Sequence, residues 1–137
     1  MEIPEINAVY THMLGHDCHS IVAGSGHADA MIAQLQGYTK AGYDLILTSH
    51  YTPEDLKDAE TKIRYLEELK TIASSCADGE TFKTAVRERF PAYSGENYLD
   101  MTTWIHLDIA GTGHSGKQSQ PYQPKGATGM GVTTLYQ

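Results

Sequence analysis

Short apolar runs that end in glycine or polar residues recur along the first fifty residues of the chain. Asp44–Thr48 is the strongest of these runs, and Ser20–Ala23 is a second one, closed by Gly24-Ser-Gly26. Runs of this length and content are typical of buried strands. Ile6–Thr11 is rich in β-branched and aromatic residues, which favours a strand over the short helix that the stretch would also tolerate. The pattern predicts strands that each lead into a loop and a helix.

Apolar residues at helical spacing predict a long helix over residues 53–75, with Leu66 at the centre of its apolar stripe. Thr52 is suited to cap this helix, and the proline after it to occupy the first turn. Asp58 and Lys62 are four residues apart, a spacing that predicts an ion pair on the solvent-facing side of the helix. We expect this helix to be a main stabilising element.

Two further helices and one more strand complete the predicted elements. One helix precedes the long one and ends at Gly42, and another starts near Asp78 and ends at Pro91. Trp104–Ile109 predicts another buried strand, and the glycines of residues 111–131 indicate an irregular loop. The alternation of strands and helices predicts an α/β fold in one small domain, with helices packed on a short mixed sheet and a glycine-rich C-terminal tail.

Charge and hydropathy exclude several classes of partner. The chain has 17 acidic and 10 basic residues among 137, which gives a net charge of −7. An acidic chain without a stripe of lysine and arginine repels phosphate backbones, so we expect no nucleic-acid partner. No apolar run approaches the ~20 residues of a membrane span, and the N-terminus lacks the basic flank and apolar core of a signal peptide. We therefore expect no membrane segment and a cytoplasmic location.

Five side chains that bind metals lie close together near the N-terminus: His12, His16, Asp17, Cys18 and His19. Zinc accepts imidazole and thiolate ligands, and a loop can present three of these groups together. Because the spacing matches no standard zinc finger, the alternative is that the histidines are exposed loop residues and the cysteine is a small core residue. Both interpretations stay open from the sequence.

The stretch Asp44-Leu-Ile-Leu-Thr-Ser-His-Tyr-Thr-Pro-Glu54, with its long following helix, resembles the C-terminal part of metallo-β-lactamase-fold hydrolases. Phe90–Met101 resembles the ending of some members of that superfamily, so the resemblance covers about residues 1–103. It implies a metal site with His50 as a ligand. The candidate partners of His50 are the histidines of the earlier cluster: His12, His16 and His19.

The most specific pattern lies in the last third of the chain. Trp104-Ile-His-Leu-Asp-Ile-Ala-Gly-Thr112 is followed, after a spacer, by Lys125-Gly-Ala-Thr-Gly129 and Gly131-Val132. This order resembles the C-terminal end of the leucyl aminopeptidase family, which implies a buried strand, a turn and a final helix, with Thr112 lining the substrate pocket. That family holds two metals through a lysine and several carboxylates, including an Asn-Thr-Asp-Ala-Glu-Gly-Arg stretch that this sequence lacks. The resemblance implies ancestry without a complete catalytic centre.

The two resemblances meet near residue 103 and predict a metallo-hydrolase-like body over residues 1–103, with an aminopeptidase-like strand and glycine-rich tail over residues 104–137 packed on it. The preferred function is that of a small protein derived from a metallo-hydrolase, which binds one zinc ion and has weak or no catalysis. Two alternatives stay open: a non-catalytic interaction or assembly module, and an aminopeptidase-related fragment. A homo-oligomer is compatible with each function, and the sequence identifies no small-molecule or peptide substrate.

Overall fold

The computed structural model describes residues 1–12, 14–115 and 126–127. A three-stranded mixed sheet has the order β1 (Glu2–Ile3), β2 (Ala8–Thr11), β3 (Leu45–Thr48), with β1 antiparallel and β3 parallel to β2. The helices are α1 (Ser25–Ala41), α2 (Leu56–Ser75), α3 (Gly79–Arg89) and α4 (Glu96–Gly113), and a short 3-10 helix (Pro4–Ile6) joins β1 to β2. Helices packed on a small mixed sheet confirm the predicted α/β class.

The parallel pair of strands determines where the loops meet. β2, α1 and β3 form a β-α-β unit, in which Val9 and Ile46 are paired in register and both buried. The carboxyl ends of the two strands therefore open at one edge of the sheet, the edge where α/β folds commonly place ligand sites. The loops after β2 and β3 are joined there by a hydrogen bond from the Ser49 N–H to the His12 carbonyl, 2.9 Å long.

Helix α2 is the centre of the helical layer, because it packs against both α1 and α3. Leu66 is fully buried at the middle of the helix, as the apolar stripe predicted. The predicted ends of the neighbouring helices are confirmed. α1 is closed by Gly42 at a φ of 72°, a left-handed conformation that glycine adopts without strain. α3 is capped by Asp78, whose side chain accepts a hydrogen bond from the Thr81 N–H at 2.8 Å.

The start of α2 differs from the prediction in two respects. Its cap is Asp55 and not Thr52, because the Asp55 carboxylate accepts from two N–H groups of the first turn while the Asp58 side chain accepts from the Asp55 N–H. Lys62, predicted in an ion pair at the surface, is fully buried. Its ammonium donates to the Cys18 carbonyl at 2.5 Å, because the loop after β2 covers this side of the helix.

Ser20–Ala23, which the apolar run predicted as a strand, is an extended loop beside α4. The Val22 N–H donates to Thr102 Oγ1 at 2.9 Å, and the Thr102 hydroxyl donates to the Ser20 carbonyl at 2.8 Å. One threonine side chain thus satisfies two backbone groups that a sheet would otherwise have to pair. Val22 is buried, as the apolar run predicts. The strand prediction was wrong because the backbone here pairs with the Thr102 side chain and not with another strand.

Helix α4 also replaces the strand predicted at Trp104–Ile109. Leu99 and Thr103, four residues apart on one side of the helix, are buried, whereas Trp104 is 65% exposed. The strand prediction was wrong because it rested on Trp104–Ile109 alone, whereas the helix begins upstream of this stretch, at Glu96. α4 continues through the predicted boundary after residue 103, and the division of the chain into two regions stays a prediction.

Two short strands follow α4. β4 (His114–Ser115) pairs antiparallel with β5 (Gly126–Ala127), inside the stretch predicted as an irregular loop. The remainder of that loop and the predicted final helix lie outside the described residues, and the substrate-pocket role implied for Thr112 stays a prediction. None of the helices in the described part of the chain combines the length and the hydropathy that a membrane crossing requires.

Candidate functional site

Glu54 is held at the sheet edge by backbone pairing with β3. The Ile46 N–H donates to the Glu54 carbonyl at 2.8 Å, and the Glu54 N–H donates to the Ile46 carbonyl at 2.9 Å. The carboxylate points back under the loop after β2, where its two oxygens accept from the N–H groups of Gly15 and His16 at 2.9 and 2.8 Å. With its side chain only 1% exposed, Glu54 is a buried carboxylate that shapes this loop.

The imidazole of His16 lies between two carboxylates. Its Nδ1 is 3.0 Å from Glu54 Oε1 and 3.4 Å from Asp58 Oδ1. Partial burial opposes protonation of this ring, but the hydrogen bond to Glu54 and the negative charges of Asp58 and Asp17 outweigh it, so the pKa of His16 is raised. His16, Glu54 and Asp58, called the His16 cluster below, place their ligand atoms within 4.8 Å of one another.

Two neighbours border the His16 cluster. The ring of Tyr51 meets the His16 imidazole edge to face, with the ring centres 5.9 Å apart. The Tyr51 hydroxyl donates to the Asp17 carboxylate, and this hydrogen bond together with burial raises the pKa of Tyr51 to about 12. Tyr51 is therefore a neutral hydrogen-bond donor at physiological pH and supplies no competing charge.

The four histidines predicted as ligands occupy three different environments. His16 lies in the His16 cluster, while His12 and His50 pack edge to face with ring centres 5.0 Å apart. His19 is fully buried. Among the described residues, neither the His12–His50 pair nor His19 belongs to a group of three ligand atoms within 4.8 Å. The structure brings His50 next to one predicted partner and leaves both without a third ligand in the described part of the chain.

His19 belongs to a second polar group, the His19 cluster, formed by His19, Lys62 and Tyr65. The Nδ1 of His19 is 3.1 Å from the Tyr65 hydroxyl, and its Nε2 has no hydrogen-bond partner among the described residues. Burial lowers the pKa of His19, and it lowers the pKa of Lys62 to about 8. Both side chains are completely enclosed, so the His19 cluster is part of the core.

Two of the three members of the His16 cluster, Glu54 and Asp58, were not predicted as ligands. Asp58 was assigned to an ion pair on the solvent-facing side of α2, and Glu54 lies just before the helix, where acidic residues are ordinary. A signal was present in their positions, because both follow β3 closely and β3 pairs with β2, the strand that leads into the histidine-rich loop. Parallel pairing of these two strands was the missing piece of information.

The comparisons with known proteins assign the chain to a family. The model of the cytosol aminopeptidase family, catalytic domain, matches residues 10–136. The chain belongs to this family. It is 47% identical over 58 residues to a probable cytosol aminopeptidase of Geobacter sp. (strain M21), covering 42% of the chain and 10% of that protein. It is 59% identical over 34 residues to one of Roseiflexus castenholzii, covering 25% of the chain and 7% of that protein.

A relative in Mycobacterium tuberculosis (strain ATCC 25177 / H37Ra), also a probable cytosol aminopeptidase, is 24% identical over 136 residues. That alignment covers 99% of the chain and 24% of the relative. The chain thus spans no more than about a quarter of the length of these three relatives. Among solved structures, none matches the chain.

These matches decide between the two resemblances seen in the sequence. The leucyl aminopeptidase resemblance of the last third is confirmed, and the family match extends it back to residue 10. The resemblance of residues 1–103 to metallo-β-lactamase-fold hydrolases has no support from any of the comparisons. The short strand-end pattern around His50 was too unspecific to separate the two kinds of hydrolase.

Proposed function

We propose that this chain is an aminopeptidase-related domain that binds one zinc ion and has weak or no peptidase activity on its own. The family match supports the relationship to aminopeptidases. The observation that carries the proposal is that the described residues contain a single group of three metal-ligating side chains, the His16 cluster. The names of the relatives favour a cytosolic location.

The donor set does not fit the two-metal centre of the leucyl aminopeptidase family. That centre uses a lysine and several carboxylates, and the Asn-Thr-Asp-Ala-Glu-Gly-Arg stretch that supplies part of it does not occur in this sequence. A catalytic zinc needs about three protein ligands and an open position for water, so two metals need about twice as many donors as the His16 cluster offers. One zinc ion is therefore the most that this cluster can hold.

A metal analysis and a peptidase assay on the same purified chain test the proposal. We expect elemental mass spectrometry of the acid-digested protein to find about one zinc ion per chain. We expect the chain to hydrolyse leucine p-nitroanilide no faster than the same concentration of free zinc does. Hydrolysis far above the free-metal rate, abolished by a chelator and restored by zinc, would contradict the claim of weak activity. A chain that takes up no zinc would contradict the claim of a metal.

A second candidate function is assembly, favoured by an exposed apolar pair on α4. Met101 and Trp104 are three residues apart on this helix and are 48% and 65% exposed, on the side away from the buried Leu99. Large exposed aromatic side chains of this kind are enriched at protein interfaces. We expect a particle larger than the 15.0 kDa chain in sedimentation analysis, reduced to a monomer by Trp104→Ser. A wild-type monomer at all accessible concentrations would contradict self-assembly.

A further inference from the structure

We infer that His16, Glu54 and Asp58 are the ligands of the zinc ion, with Nδ1, Oε1 and Oδ1 as the donor atoms. The inference rests on the proposal that the chain binds zinc, and it adds where the ion is held. It differs from the arrangement that the sequence suggested, in which His50 was the principal ligand. It also differs from the two-metal centre of the aminopeptidase family, which uses a lysine and several carboxylates.

The distances within the His16 cluster are close to those of a tetrahedral zinc site. Zinc bonds to imidazole nitrogen and carboxylate oxygen are about 2.0–2.2 Å long, which places neighbouring donor atoms about 3.3–3.5 Å apart around a tetrahedral ion. His16 Nδ1 is 3.0 Å from Glu54 Oε1 and 3.4 Å from Asp58 Oδ1. Small side-chain rotations would therefore admit the ion without rearranging the backbone.

Backbone N–H groups orient both carboxylates, and each proposed donor oxygen keeps a lone pair for the ion, although Glu54 Oε1 also accepts from the His16 N–H at 2.8 Å. Glu54 Oε2 accepts from the Gly15 N–H at 2.9 Å, and Asp58 Oδ2 accepts from the Asp55 N–H at 3.0 Å. Hydrogen bonds of this kind orient ligands in metal sites, and losing one typically costs about 10–100-fold in metal affinity or activity. The His16 cluster thus has an outer layer of backbone donors already in place.

The charge of the His16 cluster favours a divalent cation. Within the described residues, Glu54 forms its direct ion pair with His16, and the buried ammonium of Lys62 acts on it only from a longer distance. Asp17 adds a third carboxylate that acts on the same imidazole. A doubly charged ion would neutralise Glu54 and Asp58, whereas a protonated imidazole supplies a single charge. A cation that contacts the buried Glu54 carboxylate would offset part of the cost of burying its charge, so the binding of a cation here is favourable.

Solvent can reach the His16 cluster from one side. The side chains of His16 and Asp58 are 34% and 28% exposed, although that of Glu54 is enclosed. An ion can therefore enter without unfolding the loop, and a water molecule can complete the coordination. The His12–His50 pair is the competing location, but it offers two imidazoles and no third ligand among the described residues.

A zinc titration of matched variants separates the two locations. Zinc affinity is measured at one pH by competition with a chromophoric chelator, for the wild type and for Asp58→Asn, His16→Gln and His50→Ala. Asp58→Asn is the key variant, because its amide oxygen can still accept from the Asp55 N–H and keep the cap of α2. We expect at least about 100-fold weaker binding for Asp58→Asn and His16→Gln, since loss even of an outer-layer partner costs about 10–100-fold.

Each outcome of the titration bears on a different claim. His50→Ala should bind zinc as tightly as the wild type, with circular dichroism showing that all variants are folded. If His50→Ala loses zinc while Asp58→Asn keeps it, the proposed zinc binding stands and this assignment of ligands is overturned. If the wild type binds no zinc at any concentration below about 0.1 mM, both the metal and its location are overturned, and the proposal of weak peptidase activity is unaffected.

Discussion

His16 and His19 lie three residues apart in one loop and have opposite surroundings. His16 contacts the carboxylates of Glu54 and Asp58 at the protein surface, and its pKa is raised. His19 is buried against the rings of Tyr65 and Tyr93, and burial lowers its pKa. One imidazole contacts acidic groups that raise its pKa and is a candidate ligand, whereas the other is a member of the core whose pKa is lowered.

A single face of α2 creates this difference. Asp58, Lys62 and Tyr65 are spaced by four and three residues, so they lie along one side of the helix. The loop after β2 runs along this side, with His16 at the first turn and the Cys18 carbonyl and His19 further in. Distance from the helix start thus determines whether a loop residue meets solvent and carboxylates or the apolar core. The number and spacing of histidines in a sequence do not contain this information.

The largest change in stability is expected from removing the ring of Tyr65, which lies in the His19 cluster. Tyr65→Ala should lower the free energy of unfolding by about 3–5 kcal/mol, the usual cost of deleting a large buried aromatic side chain. Tyr65 is almost completely buried, stacks on Tyr93 with ring centres 5.2 Å apart and meets Phe90 at 5.0 Å. Urea titration followed by circular dichroism measures the change.

The matched control is the tyrosine beside the His16 cluster. Tyr51→Ala removes a partly exposed ring and the hydrogen bond to Asp17, so we expect a loss of about 1 kcal/mol or less. Equal losses for the two variants would show that the two clusters do not differ in burial. A larger loss for Tyr51→Ala would reverse the comparison.

Local patterns predicted the fold where local interactions decide it. β3, α1 and α3 agree with the prediction to within a few residues, because glycine, proline and aspartate at their ends act on adjacent backbone groups. The wrong strand at Ser20–Ala23 has a non-local cause, since the backbone there is satisfied by Thr102, about eighty residues later. An apolar run indicates burial, and it does not indicate what covers it.

The candidate site was predictable in part. The sequence indicated His16 as a metal ligand from its place in a histidine-rich loop, but it grouped that residue with His12, His19 and His50. The actual neighbours of His16 are Glu54 and Asp58, which lie 38 and 42 residues later in the sequence. Their approach depends on the parallel pairing of β2 with β3 and on the Ile46–Glu54 backbone pair. Neither pairing has a signature in the local pattern of residues.

A smaller effect is expected from Lys62, the cation of the His19 cluster. Burial lowers its pKa to about 8, while in the unfolded chain the lysine keeps its ordinary pKa of 10.5. Between these two values the unfolded state binds more protons, so this group makes stability rise with pH. We expect the wild type to gain about 1–2 kcal/mol relative to Lys62→Met between pH 8 and pH 10, in urea titrations. A constant difference between the two proteins would show that Lys62 is solvated.

The smallest effect is the opposite pH dependence of the two histidines. The raised pKa of His16 gives stability that is complete below about pH 6.5 and is lost as the pH rises through the folded-state value. The lowered pKa of His19 acts in reverse, because the unfolded state takes up a proton first as the pH falls below about 6.5. Stability relative to His16→Gln should therefore fall above that pH, and stability relative to His19→Gln should fall below it.

Thermal or urea unfolding of the zinc-free wild type, the two single variants and the double variant between pH 5 and pH 8, in the presence of a chelator, measures both slopes. The double variant should lack both, because its two clusters each lose the group that titrates. Only slopes are compared, so an overall loss of stability in His19→Gln does not affect the result. Slopes of the same sign would mean that the loop does not run from solvent into the core along α2. The physical distinction between a candidate ligand and a core histidine would then be lost.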